Sequence, residues 1–226
     1  MKKIFISLIL FLTISSFSFS QNVKIRELRR FDKIVVIGNI DVELVKSDKE
    51  SAVLELENID ADQVKTDVKQ RTLKIRLKSL FYKNYKVKIK VNYKELRKIT
   101  ASASAKISSD TPIEIDKLEL KANSAGKINL IVDVNVLNAT ASQGSVITLK
   151  GDAEYQKSIA NSGGELLFED LDTENADVSA HTGGKANVYV RNEINILSTT
   201  GGLVHYTGSP KKETFSTELG GKITKD

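Results

Sequence analysis

The chain has 226 residues, with 34 Lys and Arg against 29 Asp and Glu, two His and no Cys. Such a composition excludes disulfide staples, cysteine-ligated metal centres and cysteine nucleophiles, so a folded domain must rest on its own core and backbone ladders. The small positive excess hides an asymmetry: residues 21–100 carry 20 basic against 12 acidic side chains, and residues 101–226 carry 12 against 17.

Residues 1–20, MKKIFISLILFLTISSFSFS, place Lys2 and Lys3 before an apolar run from Ile4 to Ile14 and end in the small-x-small pattern Ser18-Phe19-Ser20. This is the make-up of a secretory signal peptide. The apolar run is far shorter than the roughly 20 residues a membrane-spanning helix needs, and serines follow it at once. Cleavage is expected to leave Gln21 at the mature N-terminus, which excludes a lipid-modified cysteine there. No later segment is apolar enough to span a membrane. The expected location is therefore exported: periplasm, outer surface or extracellular space.

Between 21 and 100, apolar stretches alternate with polar turns. FDKIVVIGNIDVELV (Phe31–Val45), SAVLELEN (Ser51–Asn58), TLKIRLK (Thr72–Lys78) and YKVKIKV (Tyr85–Val91) have the alternating or continuous apolar patterns of strands. IDADQVKTDVKQ (Ile59–Gln70) fits a short helical turn or a further strand. Residues 21–100 are thus predicted to form a small β-sheet region that leads into, and caps, the remainder of the chain.

Residues 101–226 repeat. ANSAGKINL, ASQGSVITL, ANSGGELLF, AHTGGKANV and STTGGLVHY are variants of one segment. Aligned on the second small residue of the pair, the anchors are Ala105, Gly126, Ser145, Gly164, Gly184, Gly202 and Gly221, with spacings of 21, 19, 19, 20, 18 and 19. Four residues before each anchor stands a small residue: Ala101, Ala122, Ala141, Ala160, Ala180, Ser198 and Thr217. Two after it stands an apolar one, from Ile107 to Ile223. Shared character at positions two apart is the period of a strand, and helical repeats need more residues per unit. The pattern predicts an all-β fold, a parallel β-solenoid with about 19 residues per coil and coils stacked at roughly 4.8 Å. The Gly pairs serve as corners, where left-handed backbone angles are needed. A phosphate cradle would need a helix N-terminus behind the glycines, and here a strand follows each pair.

FDKIVVIGNIDVELVKSD near the mature start, TLKIRLK, YKVKIKVNYKELRKITASASAKI, the small-Gly-Gly coils and the closing YTGSPK (Tyr206–Lys211) together resemble the head GIN domain family of putative auto-transporter adhesins. The resemblance covers nearly all of the mature chain. No uninterrupted Gly-Ile-Asn occurs; Gly38-Asn39-Ile40 and Gly126-Lys127-Ile128-Asn129 come nearest. What the resemblance implies is an exported β-solenoid with an adhesin-like role.

Few residues suggest chemistry. His181 and His205 fall in different columns of the repeat, so no zinc pair forms, and the serines sit where corners want small polar residues. No enzyme activity and no cofactor are expected. Asp133, Asp152 and Asp172 stand seven, seven and eight residues after their anchors in consecutive coils. Stacked, they form a candidate oxygen site for a divalent cation, as in a calcium-dependent polysaccharide binder or a glycan-active β-helix enzyme; as turn residues they need no ligand. Between Lys65 and Lys98 lie 13 basic residues and two acidic ones. Alternation puts Lys74, Arg76 and Lys78 on one side of their strand, and Lys86, Lys88 and Lys90 on one side of theirs. Pairing of the two strands would make a continuous cationic face suited to anionic glycan, lipid head groups or self-association with the acidic half. Nucleic acid is not an expected partner of an exported chain without a spaced stacking array of aromatics. The reading of the whole is a non-catalytic envelope or surface binding module.

Overall fold

The computed structural model describes residues 22–79 and 82–226, so the signal-peptide reading of residues 1–20 lies outside the described residues. The N-terminal part supplies β1 (Asn22–Glu27), β2 (Lys33–Ile37), β3 (Asp41–Lys46), β4 (Ser51–Glu57), β5 (Val64–Lys69), β6 (Thr72–Leu77) and β7 (Lys86–Tyr93). The repeats supply β8 (Lys98–Ser102), β9 (Lys106–Ser108), β10 (Ile113–Asn123), β11 (Lys127–Ser142), β12 (Val146–Asn161), β13 (Glu165–His181), β14 (Lys185–Thr199), β15 (Leu203–Thr207), β16 (Lys212–Glu218) and β17 (Lys222–Lys225). All belong to one wound sheet, a β-solenoid of about seven turns with about 19 residues per coil. Among the described residues the one helical element is a 3-10 turn at Ala61–Gln63, which runs straight into β5, so Ile59–Gln70 is both turn and strand.

Within the repeats every ladder is parallel and stacks like positions on like. Ala122 lies on Ala141, Ala141 on Ala160, Ala160 on Ala180, and Ala180 on Ser198. All five are buried, so the small-residue column faces inward as its spacing predicts. Ile107, Ile128, Ile147, Leu166, Ala186 and Val204 form a second buried column. Each coil by itself leaves such residues open to water; stacking is what buries them, as expected of a solenoid.

Corners explain the Gly-Gly signature, and the two glycines do different work. In Asn161-Ser162-Gly163-Gly164 the two central residues have φ of 49° and 72°, and the Gly164 N–H donates to the Asn161 carbonyl at 2.8 Å. That is a mirror-image type I turn, which needs left-handed angles at both central positions. Gly164 is not left-handed. A Cβ there would lie 2.3 Å from the Ala141 carbonyl oxygen of the coil beneath, whereas one on Gly163 would meet nothing within 4 Å. The first glycine supplies a backbone angle and the second permits close approach. Ser145 occupies the second position in one coil; its hydroxyl donates to the Ala122 carbonyl at 2.7 Å.

The stacking order departs from chain order at the N-terminal end. β2 lies between β6 and β8, and β3 between β7 and β9, all in parallel pairing. The N-terminal strands therefore continue the ladder of the repeats. Antiparallel strands then close this end: β5 runs along β6, β4 along β7, and β1 along β4. The Arg26 guanidinium on β1 binds this closure together by donating to the Ala61 and Val64 carbonyls and the Thr66 hydroxyl at 2.5, 2.8 and 2.9 Å.

Replacing Gly164 with Ala should lower unfolding stability by about 3 kcal/mol, since a backbone carbonyl must move to admit the methyl group. Gly163→Ala should cost about 1 kcal/mol, the price of a left-handed L-residue with open space around it. Urea unfolding of both variants checks the order of the two effects.

Candidate functional site

The parallel register that buries the core also sets charged side chains in rows on the outer face. β4, β7, β3, β9 and β11 lie side by side in that order. One row across them reads Glu55, Lys88, Asp41, Lys106 and Lys127; the next reads Val53, Lys90, Glu43, Ser108 and Asn129. All of these except Val53 line a shallow concavity of about 540 Å³, with Asp110 also in its lining. Lys90 reaches Glu43 at 3.5 Å and Lys106 reaches Asp41 at 3.4 Å. Lys88 and Lys127 lie in the same groove and form no ion pair among the described residues.

The six cations singled out by their strand pattern are divided between two places. β6 pairs with β2 and β5, and β7 with β3 and β4; β6 and β7 do not pair with each other, so the condition for one continuous cationic face is not met. Lys74 faces Asp67 across the β5–β6 pairing, Arg76 faces Lys65, and Lys78 binds Asp62 at 3.2 Å. Lys86 binds Glu57 at 3.0 Å. Lys88 and Lys90 enter the groove. Lys106, Lys127 and the four carboxylates of the groove, Asp41, Glu43, Glu55 and Asp110, were not singled out from the sequence. Lys106 and Lys127 each follow an anchor directly, and that shared column was the available signal; nothing local places β3 between β7 and β9.

Asp133, Asp152 and Asp172 do stack in register, and Glu114 extends their ladder by one coil. Arg191 takes Asp172 at 2.8 Å. Among the described residues no three His, Asp or Glu side chains converge closely enough to hold a metal ion. At about 4.8 Å per coil the first and third of three stacked carboxylates are about 9.6 Å apart along the stack, beyond the roughly 5 Å that two oxygens on one calcium can span. His181 and His205 contact Thr199 and Thr224 through Nδ1 at 2.8 and 3.0 Å, each the next residue in its own ladder.

Displaced carboxylate and lysine pKa values move away from neutrality. A hydrogen bond from Lys78 lowers Asp62, and one from Arg97 lowers Glu95. Glu119 is lowered although burial opposes it, because Lys121 and Lys98 both bind it. Hydrogen bonds to Glu119 and Glu213 raise Lys121 and Lys225. Tyr155 donates to Asp177 at 2.5 Å, and that bond, with burial, pushes its phenol up to about 12. General acid–base work at neutral pH needs groups tuned toward pH 7.

Residues 30–210 match a family model described as putative auto-transporter adhesin, head GIN domain. No curated protein matches. Among solved structures, a putative adhesin from Bacteroides fragilis NCTC 9343 superposes with a TM-score of 0.80 at 16% identity, covering 92% of this chain and 98% of that one. A putative adhesin from Parabacteroides distasonis ATCC 8503 gives 0.69 at 21% identity over 91% and 97% of the two chains. A putative lipid binding protein from the same strain gives 0.67 at 22% identity over 91% and 98%. At these identities the likeness is one of fold.

The Tyr155 phenol should ionise near pH 12 in a ring-labelled NMR titration, and Asp177→Asn should bring it down toward 10. Because the folded-state value is raised above the unfolded one, the pair contributes stability that is complete below about pH 10 and is lost as pH rises through about 12.

Proposed function

Because the chain belongs to the head GIN domain family of putative auto-transporter adhesins, we propose that it is an exported, non-catalytic binding module of the cell envelope or surface. Its ligand is an anionic glycan or lipid head group, held in the groove over β7, β3, β9 and β11. The observation that carries this reading is the set of four lysines in one concavity, two of them, Lys88 and Lys127, without an ion pair among the described residues.

The chemistry of the groove suits such a ligand. Exposed ion pairs contribute about 0–1 kcal/mol each, so a phosphate, sulfate or carboxylate oxygen can draw Lys90 from Glu43, or Lys106 from Asp41, at little cost. The carboxylates released, together with Glu55 and Asp110, then accept hydrogen bonds from ligand hydroxyls. Both charges in one groove favour an anion that also carries hydroxyl groups. One structural neighbour is described as a putative lipid binding protein, which favours keeping the head group as one of the two sources. The non-catalytic part of the reading is supported by the description of the family as putative adhesins.

The test uses the mature chain on an array of acidic and neutral glycans, and on phosphatidylcholine vesicles with and without phosphatidylglycerol. Binding is expected on acidic glycans or on the phosphatidylglycerol vesicles, and these two arms separate the sources. Lys88→Glu combined with Lys127→Glu should weaken it at least about ten-fold; because the new carboxylate at position 88 stands between Glu55 and Asp41, circular dichroism melting establishes that the variant is folded. Binding that survives the double reversal, or that selects neutral glycans, would overturn the groove reading.

A further inference from the structure

The two ends of the solenoid differ. The N-terminal end is closed by antiparallel strands, whereas β16 and β17 pair on one edge, with β14 and β15, and no strand covers their other edge among the described residues. All seven residues of β16 are exposed. Phe215 belongs to an inward column, directly above Ile196, yet it is 44% exposed where Ile196 is 3%. Leu219 at the last corner is 80% exposed. An open strand edge with apolar side chains is a template for another strand, and proteins usually block such edges.

We propose that this edge docks a second copy of the same chain, β16 against β16 in antiparallel pairing centred on Phe215. The sequence of β16, Lys212-Glu213-Thr214-Phe215-Ser216-Thr217-Glu218, is self-complementary about that centre. Lys212 falls opposite Glu218 of the second copy, and by symmetry the reverse pair forms as well. Thr214 meets Ser216, Glu213 meets Thr217, and Phe215 meets Phe215. Lys212, Thr214, Ser216 and Glu218 stack on Glu193, Asn195, Leu197 and Thr199 of β14, and so share the outer face. Opposite charges directly across an antiparallel pair are favourable and like charges unfavourable. A slip of two residues either way loses both Lys–Glu pairs. A two-fold axis keeps outer faces together only in registers that move by two, so the Phe215 register is the one that satisfies both charge and face.

Such a dimer is closed, with two isologous strands and no edge left on β16. It also sets two copies tail to tail, with the charged grooves at the outer ends, where both can meet one surface or bridge two. The dimer does not depend on the groove reading, and its failure would leave that reading untouched.

Sedimentation equilibrium of the mature chain should show monomer and dimer in the micromolar range. Glu218→Lys places Lys opposite Lys and should weaken dimerisation at least about ten-fold, while Lys212→Glu with Glu218→Lys should restore it. Because the chain has no cysteine, Thr214→Cys with Ser216→Cys supplies a geometric readout. Facing residues have Cα atoms about 4.5–5.5 Å apart, within disulfide reach, so oxidation should give a dimer on a non-reducing gel. Circular dichroism melting establishes that each variant is folded. A chain that stays monomeric at high micromolar concentration would overturn the proposal. So would a dimer indifferent to Glu218→Lys, or a mass that climbs with concentration without limit, which would mean head-to-tail pairing instead.

Discussion

The approach of each corner glycine to the coil beneath governs this molecule. With no Cβ, Gly164, Gly184 and Gly202 lie directly over the carbonyls of Ala141, Ala160 and Ala180, at distances a side chain could not tolerate. That contact fixes the vertical register at the corners that carry it, and at Ser145 a hydrogen bond to the Ala122 carbonyl holds the same position. Once the corners are locked, residues at equal distance from a corner must stack, and the inward columns, the outward charge rows and the corner-to-corner hydrogen bonds follow. Coils of unequal length still fit because the extra residues are placed away from the corners. The step up to the 20-residue spacing between Gly164 and Gly184 is taken up between Thr148 and Lys150, and the step down to the next spacing of 18 by irregular pairing between Phe168 and Asp172 and between Thr173 and Asn175.

In-register stacking has an electrostatic consequence. If charges repeated at the same coil position, each would sit about one strand spacing from its own kind, and the rod would be strained by repulsion. The N-terminal coils avoid this by alternating sign from strand to strand, with carboxylates on β4 and β3 flanking the lysines of β7. The strongly basic segment is therefore neutralised in large part by neighbours distant in sequence. The ladder from Glu114 to Asp172 departs from alternation, since four carboxylates stack there and Arg191 answers the last of them. The groove arises where the alternation lapses, at the adjacent lysines Lys106 and Lys127.

The two ends assign different roles to similar strands. At one end Arg26 draws β1 toward the 3-10 turn and β5, and Phe31, Val64 and Leu77 are buried beneath. At the other, Phe215 and Ile223 occupy core columns with nothing above them among the described residues. A solenoid's stability is a sum of interfaces between neighbouring coils, so its terminal coil carries half the contacts of an interior one.

Period and composition were enough to read the coils. Ala141, Ala160 and Ala180 recur at a fixed distance from a corner, and a pattern carried by neighbours in the chain is visible wherever backbone geometry repeats. The stacking of Asp133 on Asp152 and Asp172 was legible for the same reason. The order of the N-terminal strands was not. Lys74 and Arg76 share an alternating pattern with Lys86, Lys88 and Lys90, and that pattern says which side of a strand a residue takes, not which strand lies beside it. The interposition of β2 and β3 between strands later in the chain brings Asp41 and Glu43 against the lysines of β7 and brings Lys106 and Lys127 into one groove with them. Pairing across about 50 residues depends on which edges remain free once the coils have closed, and that is a property of the folded backbone with no local residue signature.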